Sequence, residues 1–245
     1  VMNSDGRDKR TLCNATPLGG TNAWHPDNER ILYPGREADP DNPGETLAGI
    51  YSVSIRSHER RLIYHDPELR EGMHLSPDGK HLALASGDEE KPQLYIVDTN
   101  GQNRRQLARS DGAISKPIFT PNGKEIIYTS TVGGSLTSSK KHRLSIMAVS
   151  IEGGEPREIY ASEDSGVLFD TYCSSWLPDG RYVFDIVSRD WGQYAIKLDG
   201  KSNPVRISDR MGNGYCVSPD GTNATYYLRQ SMSKLWLMSD FLPKD

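Results

Sequence analysis

The sequence predicts an all-β chain made of five repeats of a four-stranded antiparallel unit. Three observations carry this prediction. A Pro-Asp-Gly type of turn recurs five times, each turn is followed by short runs of strand-like residues, and the turns are spaced so that one four-stranded unit fits between neighbours.

The turns read Trp24-His25-Pro26-Asp27, Leu75-Ser76-Pro77-Asp78-Gly79-Lys80, Phe119-Thr120-Pro121-Asn122-Gly123-Lys124, Trp176-Leu177-Pro178-Asp179-Gly180-Arg181 and Val217-Ser218-Pro219-Asp220-Gly221. Proline presets φ at the first corner, the Asp or Asn side chain bonds the local backbone, and glycine accepts a positive φ without steric cost. The first turn has Asn28 where the others have glycine. Asn tolerates positive φ better than most residues, so the turn survives.

The elements follow in order. Ser4-Asp5-Gly6-Arg7 reads as a turn and Lys9-Arg10-Thr11-Leu12 as a short strand, the same pairing seen at Asp98-Thr99-Asn100-Gly101-Gln102 and Arg104-Arg105-Gln106-Leu107. The first repeat, residues 21–69, turns at Pro26, continues as Arg30-Ile31-Leu32-Tyr33, and enters a polar stretch, 34–48, that reads as a loop. Period-two alternation returns at Ile50-Tyr51-Ser52-Val53-Ser54-Ile55, and Arg61-Leu62-Ile63-Tyr64 gives a fourth strand.

The second repeat, 70–112, is the most regular, with strands at 73–75, 81–85, 93–98 and 104–108. The third, 113–165, contains a Gly, Ser and Lys rich loop at 132–142; the fourth is 166–210. The fifth, 211–245, shows three strands, and residues 1–16 are expected to complete it, the strand at 9–12 closing the ring. Turn residues 27, 78, 122, 179 and 220 lie 51, 44, 57 and 41 residues apart, and the two long intervals hold the two long loops. Roughly 40 to 45 residues per four-stranded unit is the spacing of a β-propeller. Five blades in one domain, 1–245, is the expectation; six blades, or a piece of a larger propeller, are the alternatives.

Composition removes several classes of function. A net charge of -4 with interspersed signs leaves no basic stripe for a phosphate backbone, so no nucleic-acid partner is expected. No run of 18 apolar residues predicts membrane insertion, and residues 1–6 lack the basic and apolar regions of a signal peptide. Cys13, Cys173 and Cys216 are an odd number without CxxC spacing, which predicts buried thiols over disulfides or structural zinc. No Gly-x-Ser-x-Gly elbow marks a nucleophile.

The turn, the following strand, Leu94-Tyr95-Ile96-Val97-Asp98 and Arg104-Arg105-Gln106-Leu107 together resemble the repeat of the TolB-type β-propeller family, over nearly the whole chain. That family includes periplasmic partner-binding proteins, lids of peptidases and some sugar-active lyases. The resemblance implies a periplasmic or secreted, monomeric, non-catalytic scaffold that binds a protein or peptide. The alternative it implies is a metal-assisted lyase of the oligogalacturonate type, with carbohydrate as substrate and histidines holding a metal ion in the channel. No other cofactor is expected.

In such a propeller the strand ahead of each turn lines the channel. Counting back from each turn residue places Glu71, Tyr172 and Asn213 at one equivalent position and Lys116 one residue nearer the turn. With Arg70, His74 and Asp170 these form the candidate polar rim, and Trp191 is a candidate binding aromatic in a loop. Trp24 and Trp176, at the position of Leu75, Phe119 and Val217, read as inter-blade core. Asp39 to Glu45 offers oxygen ligands but has Pro43 and Ile50 where a calcium loop needs donors. Of the six histidines, only His74 lies on a channel-facing strand.

Overall fold

The computed structural model of the chain describes residues 7–13, 16–18, 22–87, 93–110, 113–132, 143–162, 168–187, 192–208, 213–218, 222–228 and 234–239, which contain strands and no helix. The first sheet holds β1 (Thr16–Pro17), β2 (Ala23–Trp24), β3 (Arg30–Ala38), β4 (Thr46–Ser54) and β5 (Arg60–His65). The second is β6 (Leu69–Leu75), β7 (His81–Ser86), β8 (Gln93–Asp98) and β9 (Arg105–Arg109). The third is β10 (Ala113–Phe119), β11 (Glu125–Val132), β12 (Arg143–Ser150) and β13 (Arg157–Ser162). The fourth is β14 (Leu168–Trp176), β15 (Tyr182–Val187), β16 (Gly192–Ile196) and β17 (Val205–Ser208), and the last is β18 (Asn213–Val217), β19 (Asn223–Leu228) and β20 (Lys234–Ser239). The chain divides into two compact units, Val1–Tyr128 with Val149–Glu155, and Thr129–Ala148 with Pro156–Asp245.

The turns form as their residues dictate. Gly79, Gly123 and Gly180 take φ of 72°, 69° and 82°, and Asn28 takes 56° in the glycine place. Ser76 is the pivot of the second turn. Its Oγ donates to Asp78 Oδ1 at 2.6 Å and accepts the N–H groups of Lys80 and His81 at 3.1 and 2.9 Å. Thr120 Oγ1 takes the same role, donating to Asn122 Oδ1 at 2.8 Å and accepting Glu125 N–H at 3.1 Å. The Ser76 hydroxyl and the Lys80 N–H hold the Asp78 carboxyl below its usual range. Neighbouring turns also touch: a Cβ on Gly79 would lie 2.2 Å from Pro26 Cγ. Ser76→Ala should therefore cost about 1–2 kcal/mol in urea denaturation by removing the acceptor of the half-buried His81 N–H and the donor to Asp78, whereas Ser76→Thr, the residue of the third turn, should stay within about 0.5 kcal/mol.

The outer strands share a register break. Between Ile50↔Tyr64 and Tyr51↔Leu62 the strand β5 has one extra residue, Ile63. The same shift leaves Leu107 extra in β9, Ile159 in β13 and Ile207 in β17. An aliphatic residue at a bulge twists the edge strand and turns its side chain toward the interior; Leu107 and Ile159 are buried. In the first unit Leu32, Ile50, Leu69, Met73, Leu82, Leu84 and Val97 form one apolar cluster between the first two sheets. In the second, the Phe184 ring lies 5.9 Å from Tyr182 and 6.3 Å from both Tyr160 and Tyr194. Full burial of such side chains contributes about 1.5–3 kcal/mol each.

Three expectations need correction. Residues 34–48 are mostly hairpin: β3 reaches Ala38 and β4 begins at Thr46, with Pro34↔Ile50 through Ala38↔Thr46 in register. The polar residues that suggested a loop are paired there. Tyr33 O–H donates to Glu37, Glu37 also meets Arg60 at 2.9 Å, and Tyr51 O–H donates to Leu47 O at 2.7 Å under a stacked Tyr33 ring. Residues 9–12 are not a strand. They have no buried alternate face; residues 9–11 are exposed, and only Leu12 and Cys13 pack, against Tyr33, Tyr51 and Val53. The strand that follows, β1, pairs with β3 of the first sheet. Trp24 is 52% exposed, whereas Phe119 is 1% exposed. Phe119 lies against His74 of the second sheet, its ring 6.0 Å away.

Candidate functional site

The first strand of each sheet is irregular at the end far from its turn. In β6 the four steps from Leu69 to Met73 face the two from Ser86 to Leu84. In β14 the five steps from Asp170 to Ser175 face the two from Asp185 to Val183. In β18 the three from Asn213 to Cys216 face the two from Tyr227 to Thr225. The first sheet carries the break further: its first strand is split, so that the six steps from Pro17 to Ala23 face the three from Gly35 to Leu32. In β10 the mark is Lys116, with φ of 51° inside a strand. A non-glycine residue held there costs about 1 kcal/mol or more and persists only when its surroundings impose it.

These breaks fall on the candidate residues. Arg70 and Glu71 lie within the β6 break and Tyr172 within that of β14, while Asp170 and Asn213 are the last paired residues before the breaks of β14 and β18. Arg70, Glu71, His74 and Lys116 thus stand on β6 and β10, which pack beside one another in one unit; Asp170, Tyr172 and Asn213 stand on β14 and β18, neighbours in the other. Trp191 lies outside the described residues.

His74 faces inward. Its Nδ1 accepts the Phe119 N–H at 3.2 Å, its ring lies 6.0 Å from the Phe119 ring, and burial pushes its pKa down to about 4. A neutral ring with Nδ1 accepting carries its proton on Nε2. Other histidines are also engaged: His65 Nδ1 meets Ala48 O at 3.1 Å, and His81 Nδ1 meets Asp98 Oδ1 at 3.0 Å. In the 39–45 loop, Asp39 accepts Asp41 N–H at 2.9 Å and Asn42 Nδ2 at 2.8 Å, so its carboxylate organises its own turn. Among the described residues no group of three His, Cys, Asp or Glu is arranged to hold a metal ion.

The model of the TolB β-propeller domain matches residues 1–240. The chain belongs to the TolB β-propeller family. An uncharacterised peptidase, YuxL, of Bacillus subtilis is 28% identical over 111 residues, 45% of this chain and 17% of that protein. The Tol-Pal system protein TolB of Bordetella pertussis is 25% identical over 135 residues, 55% of this chain and 29% of that protein. The match thus spans less than a third of either relative. Among solved structures, TolB from Acinetobacter baumannii superposes with a TM-score of 0.69 at 18% identity, covering 98% of this chain and 56% of that one. Oligogalacturonate lyase from Vibrio parahaemolyticus gives 0.60 at 14%, covering 89% and 62%. At these identities the structures establish the shared fold.

Within this TolB-family chain, sequence reasoning missed two features of the site. One is the register break in the first sheet, between the pairs Pro17↔Gly35 and Ala23↔Leu32. Asp66, next to the β6 break, is a buried carboxylate at 6% exposure. A lone Asp between two strands has no spacing pattern to betray it.

Proposed function

We propose that this chain is a non-catalytic binding module that holds an extended peptide segment of a protein partner along the irregular ends of β6 and β10. The observation that carries this reading is the irregularity that these two neighbouring strands share at the end far from their turns, the break in β6 and the positive φ of Lys116 in β10. The break in β6 takes residues 70–72 out of the paired register, and backbone outside a sheet ladder can recognise another backbone. Arg70, Glu71 and Lys116, carried there, add charge of both signs, while Asp170, Tyr172 and Asn213 are a separate candidate set on β14 and β18 of the other unit. Resemblance to the TolB family supports a protein partner and a periplasmic or secreted setting.

The test begins with a peptide selected on the wild-type protein from a displayed random library. Glu71→Ala combined with Lys116→Gly should weaken that labelled peptide about tenfold, or 1.4 kcal/mol. Glycine at 116 removes the cation while accepting the positive φ, so thermal stability should hold. Lys80→Ala, at the turn end of the second sheet, should leave affinity unchanged. Equal affinity for the double variant would remove β6 and β10 from the site, and turnover of an oligogalacturonate by the purified protein would replace the reading with the lyase alternative.

A further inference from the structure

We infer that Asp66 is a positioning residue that fixes the break in β6, an inference that rests on the binding site proposed above. Asp66 lies between β5 and β6 and is pinned through its backbone: its N–H donates to Ala48 O at 3.0 Å and its carbonyl accepts Leu69 N–H at 3.1 Å. Its carboxylate then reaches both strands that flank the break. Oδ1 accepts Glu68 N–H at 3.0 Å, and Oδ2 accepts Ser86 Oγ at 2.7 Å. Ser86 pairs with Leu69, the last residue in register before the break, and Gly87 N–H donates to Glu68 O at 3.3 Å.

A buried carboxylate persists only where donors replace its water. Besides Glu68 and Ser86, the Tyr64 O–H approaches Oδ2 at 3.4 Å and Arg104 Nη2 at 3.8 Å. Arg104 is itself held, its guanidinium 3.7 Å from the centre of the Tyr95 ring and 5.9 Å from that of Tyr64. The carboxylate therefore joins the end of the first sheet, the start of β6 and the end of β7 at one point. Bonded to the chain that enters β6 and to the end of β7, it fixes the Leu69↔Ser86 end of the break, from which the extra residues of β6, Arg70 and Glu71 among them, start.

The experiment uses Asp66→Asn, which keeps the shape and one acceptor, and Ser86→Ala, which keeps the carboxylate. Amide hydrogen exchange should speed up about tenfold at residues 68–73 in both, with the strands of the fourth sheet unchanged. Affinity for the selected peptide should fall about fivefold, and this loss should vanish when Asp66→Asn is made in the Glu71→Ala background, because the two residues act through one element. Unchanged exchange at 68–73 would overturn the inference, as would faster exchange with undiminished affinity. The binding reading is judged separately, by whether Glu71→Ala with Lys116→Gly weakens the peptide.

Discussion

Substituting Gly101 by alanine is expected to destabilise the protein by about 3 kcal/mol and to lower its Tm by about 6–12 °C. Two costs combine. Gly101 has a φ of 83°, where a side chain costs about 1–2 kcal/mol. An added Cβ would also lie 1.9 Å from Ile63 O and 2.9 Å from Ile63 C. Ile63 is the extra residue of the β5 bulge, so the clash is with backbone that cannot rotate away. The turn around Gly101 is itself tied down, with Gly101 N–H on Asp98 O at 2.8 Å and Asn103 Nδ2 on Asp98 Oδ2 at 2.7 Å. Gly153, in the corresponding turn of the third sheet, provides the control. Its φ is 97° but an added Cβ would meet nothing within 4 Å, so Gly153→Ala should cost only about 1 kcal/mol. Equal losses at the two positions would mean that the contact between the first and second sheets at Gly101 is not as described.

The second large effect is on acid stability. His74 has its pKa depressed to about 4, chiefly by burial, against about 6.5 in an unfolded chain. The sign follows from which state binds the proton first. As pH falls through 6.5 the unfolded chain takes up a proton that the folded ring refuses, so stability drops between about pH 6.5 and pH 4, and levels once the folded ring also titrates. Over that window the loss amounts to about 3 kcal/mol. His74→Asn offers an acceptor oxygen near the place of Nδ1, able to receive the Phe119 N–H, and cannot titrate. Denaturation of the wild type and the variant from pH 7 to pH 4.5 should show curves that diverge by most of that amount at the acid end. Parallel curves would contradict a half-buried His74 that stays neutral against Phe119. Depressed carboxyls such as Asp78 and Asp199 act in both proteins alike and drop out of the difference.

How much was legible in the sequence depended on how local the cause was. The turn at Ser76 to Lys80 is made by residues within five positions of each other, and its Pro, Asp and Gly each have one physical role; those signals led to the repeats and to the family. The hairpin at 34–48 failed because Tyr33, Glu37 and Arg60 satisfy one another across strands, and polarity alone reads such residues as loop. Trp24 failed because repeat position alone does not set burial: Phe119 has His74 of the second sheet against it. The breaks in the first strands are a matter of register, set by what lies opposite, so no residue pattern announces them. The polar and glycine residues six and seven places before the turn acid fall at or beside these breaks in β6, β14 and β18. His74 was legible as a residue on that strand but not as one turned toward Phe119, since rotamer and partner are both non-local.

The most direct measurement is the hydrogen-exchange footprint of the selected peptide on the wild-type protein. Binding along the irregular ends of β6 and β10 should slow exchange at residues 69–73 and 113–117, while the turns at 76–80 and 120–124 keep their free-state rates. Protection confined to those turns or to the outer strands β5, β9, β13 and β17 would contradict the assignment.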